Sequence, residues 1–152
     1  MEIKLISNIG ILNHPNHNGR IYDSEMMKKA VEDFNKNGIK TCELNPDYLE
    51  KSEFLSNEPF FSHNSDKIAG EVKEVKIEDN KLVGKVHLLD NENGKTVKAL
   101  IDSGKLRLGP RMLAESISVL DEEGNQKLDE NGNPIVEIGD VEIVSMDIIS
   151  DK

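Results

Sequence analysis

The chain has 152 residues, 36% of them hydrophobic and 32% charged, and carries a formal net charge of -10 at pH 7. That length fits one globular domain spanning residues 1–152, with a modest core and nothing left for a second. The acidic balance, with no cluster of Lys and Arg, excludes a protein that wraps duplex DNA, because that task sets basic side chains against the phosphates.

Four Phe, two Tyr and no Trp leave the core to Ile, Leu, Val and Met. The opening MEIKLISNIGIL lacks the basic-then-apolar order of a secretion signal. No run approaches the roughly 18 apolar residues of a membrane span, so the expectation is a chain of the reducing cytoplasm with no membrane partner. EIKLIS and IGIL predict a first strand or strand pair, interrupted by the turn-prone NHPNHNG. DSEMMKKAVEDFNKNG predicts a helix: Asp23 or Ser24 caps it, Met26, Met27, Ala30, Val31 and Phe34 share a face, and Gly38 stands as the C′ residue. TCELNPDYLEKSEFLSNEP, with two prolines and mixed polarity, predicts a long irregular connection. GEVKEVKI and KLVGKVHLL, separated by EDN, predict a β-hairpin, and NGKTVKALIDSGK predicts a short helix stopped by Gly104. ESISVL, NPIVEI and DVEIVSMDIIS then predict strands parted by the turns DEEGN and DENGNP. The fold class expected is α+β, a mostly antiparallel, β-barrel-like domain with two or three helices.

Several residues invite a chemical reading. Cys42 has no second cysteine to pair with and reads as a small buried side chain. His14 and His17 lie in a turn with no further Cys or His to complete a zinc set. The acidic turns lack the ligand series and the fixed Gly and Glu of a calcium loop, so no metal and no cofactor is expected. His87 sits within a strand, out of phase with Val86 and Leu88, and reads as a surface or half-buried side chain. His63, in FFSHNSDKIAGEV, stands where an apolar strand start meets a polar loop. There a histidine serves either as a general base or as an ordinary side chain bonded to backbone.

Taken in order, NHNGRIYDSEMMKKAV, CELNPD, the long stretch from FFSHNSDK to LGPRM, and VEIVSMDIIS resemble the tailed-phage prohead proteases, also called head maturation proteases. That family shows an Asn-Gly-Arg-x-Tyr opening, a Glu-Leu-Asp-His-Pro-like loop, a Ser-His element before a hairpin, a Gly-x-Ser-x-Arg-like nucleophile segment and a closing strand with Asp. The likeness spans about residues 13 to 150. It implies a fold similar to the herpesvirus assemblin proteases, with a serine and a histidine on a β-barrel. By that resemblance His63 is the general base, and Asp147 is its orienting partner, with Glu142 as the fallback. Arg111, following the nucleophile position, helps the backbone stabilise the oxyanion. The partners implied are phage capsid and scaffold proteins, with room for a homo-oligomer, and the place of action is the host cytoplasm during assembly and the prohead or virion.

The chain departs from the family where it matters most. LRLGPRML offers Gly109 and then Pro110 where the serine belongs; neither side chain can attack a carbonyl, and Pro110 has no N–H to lend an oxyanion hole. The loop histidine is missing as well, since ELNP has Asn45 in its place. Ser116 is the substitute nucleophile, about 20 Å along an extended chain from position 109, while Ser62 and Ser65 adjoin His63. Three readings follow: a catalytically silent homologue serving head assembly, an active serine endopeptidase with a displaced nucleophile, and an unrelated small β-rich binding module.

Overall fold

The computed structural model describes residues 1–45 and 65–150. Among them, seven strands form one mixed sheet and two α-helices pack against it. β1 (Glu2–Ile6) alternates exposed and buried residues, turning Ile3 and Leu5 inward, and pairs antiparallel with β5 (Lys81–Leu88). The segment IGIL forms no strand; Ile9 and Leu12 enter the core from a turn-rich loop, which Leu12 and Asn80 anchor to the hairpin tip by mutual hydrogen bonds. β4 (Ile68–Glu78) and β5 form the expected hairpin. Its loop is only two residues, Asp79 and Asn80, with φ of 50° and 62°, the form whose twist matches that of the flanking strands.

β3 (Thr41–Asn45) runs antiparallel to β4 and parallel to β7 (Val136–Ser150). β2 (Arg20–Tyr22) lies parallel to the start of β7, and β6 (Leu106–Ser118) runs antiparallel along β7 for its whole length. The sequence reading divides these last two strands into shorter pieces. The structure instead joins them into continuous strands, because β7 absorbs its irregularities as two bulges, near Val144 and at Asp140, whose φ is 49°.

α1 (Ser24–Asn37) begins as expected, with Asp23 accepting from the Met26 N–H at 2.9 Å, and buries Met27, Ala30, Val31 and Phe34. Its end differs: Gly38 has φ of -72°, not the left-handed cap. The glycine is required there because a Cβ would strike the Phe34 ring. The Asn35 side chain completes the packing by donating to the Val75 carbonyl and accepting from its N–H, like one rung of a strand, beside the bulge in β4. α2 (Glu92–Leu100) is capped by Asn91, which accepts from the Gly94 N–H and donates to the Ile68 carbonyl; a 3-10 turn follows and stops at Gly104 in the left-handed region.

The expected barrel does not close. The sheet curls until Leu108 of β6 packs over Gly84 of β5, and the two edges touch at one bridge, Ser7 to Leu108, with the Asn8 N–H donating to the Leu108 carbonyl. Closure stops there for a covalent reason. Two residues on, Pro110 has no N–H to carry a ladder further, and β1 has already turned away at Asn8. No helix among the described residues is long and apolar enough to cross a membrane.

One prediction separates packing from propensity. Gly94 lies in the first turn of α2, where an alanine should help by about 1 kcal/mol on propensity alone. Its missing Cβ points at the carbonyls of Leu89 and Ala69, however. Gly94→Ala should therefore lower stability by about 1–3 kcal/mol in urea unfolding; an unchanged or raised midpoint would show that α2 tolerates the side chain.

Candidate functional site

Three neighbouring strands bring the polar residues of the interior together. In register, Glu43 of β3 lies beside Asp147 of β7, and Gly109 of β6 lies opposite Asp147 on its other side; one step along, Arg111 faces Ser145. Residues directly opposite share a face and successive residues alternate. Glu43, Asp147, Gly109, Ser145 and Arg111 therefore occupy one face, and Cys42, Met146, Ile148 and Leu108 the other, where they join the hydrophobic core.

The geometry of the cluster is that of a buried clamp. Arg111 donates from Nε to Asp147 Oδ2 at 2.8 Å and from Nη2 to Asp147 Oδ1 at 3.0 Å, and Nη2 also donates to Glu43 Oε2 at 2.8 Å. Relative exposures of 5% for Arg111, 3% for Glu43 and 1% for Asp147 make these pairs interior rather than surface contacts. Charges so placed must be paired and hydrogen-bonded to be tolerated at all, and the two-pronged guanidinium–carboxylate contact is the strong form of such a pair. Burial alone would lower the Arg111 pKa, but the Asp147 and Glu43 carboxylates outweigh it and hold the guanidinium above its ordinary value. Next to it, the Ser145 hydroxyl is fully buried and has no hydrogen-bond partner among the described residues.

The residues singled out in the sequence fall into distinct places. Asp147 and Arg111 are brought together, and Gly109, at the expected nucleophile position, lies opposite Asp147. Glu142 is exposed, opposite Leu113. Ser116 is exposed, opposite Ile138, and β6 stays extended between it and Gly109. His63, together with Ser62, lies outside the described residues. His14 and His17 are exposed, and His87 is half-buried between Glu2 and Glu71 on the flanking strands. Cys42 is fully buried, and burial pushes its thiol far above the ordinary range, so it is no nucleophile. Glu43 and Ser145 escape the sequence reading. In TCELN the alternation sets Glu43 between two apolar residues, the pattern of an outward-facing side chain, and nothing local announces that a guanidinium 68 residues away will cover it. Among the described residues no group of His, Cys, Asp and Glu could hold a metal ion.

Comparison with known proteins gives a likeness among solved structures. No family model matches the chain, and no curated protein matches it. A solved structure of the bacteriophage T4 capsid assembly protease, gp21, superposes with a TM-score of 0.59 at 18% sequence identity, covering 99% of this chain and 82% of that one. The likeness is one of fold: this chain has the α+β architecture of a phage capsid assembly protease.

The clamp makes a test of its own. Arg111→Met should cost about 3–5 kcal/mol in urea unfolding, because it leaves two buried carboxylates without their guanidinium. Adding Asp147→Leu to that variant should recover part of the loss, whereas two simply additive losses would mean that the three groups are not coupled.

Proposed function

We propose that this chain is a catalytically silent member of the tailed-phage prohead protease family, with an assemblin-like ancestry, that serves head assembly by holding capsid or scaffold proteins in the prohead. The observation that carries the reading is the register of Gly109 with Asp147. The fold likeness to a phage capsid assembly protease supports the family, and the pairing supports the alignment of LGPR with the family's nucleophile segment. At that position stands a residue with no nucleophilic atom.

In this reading His63 keeps the general base position and Asp147 the orienting position, while the reaction lacks its first step. A serine must be hydrogen-bonded to a base to attack a carbonyl. Ser145, the hydroxyl nearest the clamp in register, has no hydrogen-bond partner among the described residues, and Ser116 stands about 20 Å along β6 from Gly109. A site without its nucleophile retains only about 10³-fold catalysis over water from binding and oxyanion contacts, too little to mature a capsid. Arg111, held by Asp147 and Glu43, then acts in the architecture of the site rather than on an oxyanion.

The test is co-expression of the chain with the major capsid and scaffold proteins of its own phage, read by intact mass and by co-purification. The expected outcome is uncleaved partners with the chain retained in the particles. Cleavage that disappears in His63→Ala would reverse the conclusion and establish an active protease. A Gly109→Ser variant adds a gain-of-function arm: new cleavage, dependent on His63, is expected if only the nucleophile has been lost.

A further inference from the structure

Beyond the clamp, β6 and β7 run on as an arm that β2 flanks on the β7 side over Val136–Ile138, and among the described residues the β6 side of the arm is an open edge. From Leu113 to Ser118 every residue of β6 is exposed, and among the described residues β7 is the one strand that β6 pairs with there. The strand's own row along one face reads Leu113, Glu115, Ile117, with Glu137 opposite Ile117 and Glu142 opposite Leu113. Leu113 is 42% exposed and Ile117 57%. Natural edges are blunted with Lys, Pro or bulges. Here Pro110 and the bulge near Val144 precede the stretch, the bulge at Asp140 lies on β7 opposite Ala114 and leaves β6 itself regular, and residues 113–118 carry no Lys.

Charge says what the edge meets. Residues 113–142 hold nine carboxylates against the single Lys127, which is eight of the ten net negative charges of the whole chain. A second copy is disfavoured by that field, since pairing two such arms would bring like charges together. An extended segment with the complementary pattern, apolar side chains opposite Leu113 and Ile117 and a Lys or Arg opposite Glu115, gains backbone hydrogen bonds, apolar contact and ion pairs together.

We propose that the free edge of β6 over Leu113–Ser118 is a docking site for a basic, extended segment of a partner protein, which adds to the sheet as a further strand. The inference rests on the arm alone and stands whether or not the domain is a silent protease.

The probe is a fluorescein-labelled nine-residue peptide, KTVTKTVTK, added to the full chain and followed by anisotropy, with amide hydrogen exchange read along β6. Saturable binding is expected, weakened about fivefold or more by Glu115→Lys, weakened by raising salt, and absent for the charge-reversed peptide ETVTETVTE. Slowed exchange within residues 113–118 is the signature of strand addition. The proposal is overturned if no saturable binding occurs, if the charge-reversed peptide binds equally well, or if the peptide binds while β6 exchange is unchanged, which would mark loose attraction to the acidic turns. Self-association of the chain through β6 in sedimentation would overturn it in favour of a second copy. Because Glu115 is exposed, the Lys variant is expected to fold, and its urea midpoint checks that.

Discussion

The buried guanidinium of Arg111 is the contact on which the arrangement of the sheet depends. β3 comes from a part of the sequence distant from β6 and β7 and runs parallel to β7, so no hairpin can set its register. Arg111 reaches Asp147 on the neighbouring strand and Glu43 on the one beyond. A slip of β3 by one residue would exchange Glu43 for Cys42 or Leu44, placing a carboxylate in the apolar core and leaving the guanidinium short of a partner. The clamp therefore penalises the wrong register more than it rewards the right one, which is how a buried ion pair contributes to specificity.

The same constraint explains the glycine and proline that precede the arginine. Leu108 directs its carbonyl away from β7, towards Asn8. Backbone groups two residues apart in a strand point the same way, so Pro110 also turns its nitrogen away from β7, where the lack of an N–H costs no bond to β7. Among the described residues β7 is the one strand that pairs with β6 at this point, and proline is tolerated because its nitrogen faces away from that ladder. Gly109, between the core-facing Leu108 and Pro110, sits on the polar face beside Asp147 without adding a side chain to it.

Much of this was readable in the sequence, and the parts that were not share a cause. α1 announced itself by the spacing of Met27, Ala30, Val31 and Phe34 and by the Asp23 cap, the hairpin by its turn, and the second helix by Gly104. These are local features, settled within a few residues. The continuity of β6 was hidden because Gly109 and Pro110 look like a break to any local reading, and an edge is a property of the whole sheet. Glu43 was hidden because its partner lies on a strand far along the chain. Gly38 was predicted to be needed and is, although for the bulk of Phe34 rather than for a left-handed backbone.

The distribution of charge has a different standing, because the fold does not require it. The arm holds its shape through two successive turns built alike, in which Asp121 accepts from the N–H groups of Glu123 and Asn125, and Asp129 from those of Asn131 and Asn133, with Gly124 and Gly132 in the left-handed region. Those bonds use two carboxylates. Glu115, Glu122, Glu123, Glu130, Glu137 and Glu142 make no ion pair among the described residues, and concentrating them on one slender hairpin opposes folding through self-repulsion. A sequence under selection for stability alone would intersperse lysines there, as it does along β1, β4 and β5, where Lys4, Lys73, Lys76 and Lys85 pair with glutamates. That one half of the sheet is charge-balanced and the other is not points outward, to a positively charged surface that neutralises the arm when it docks.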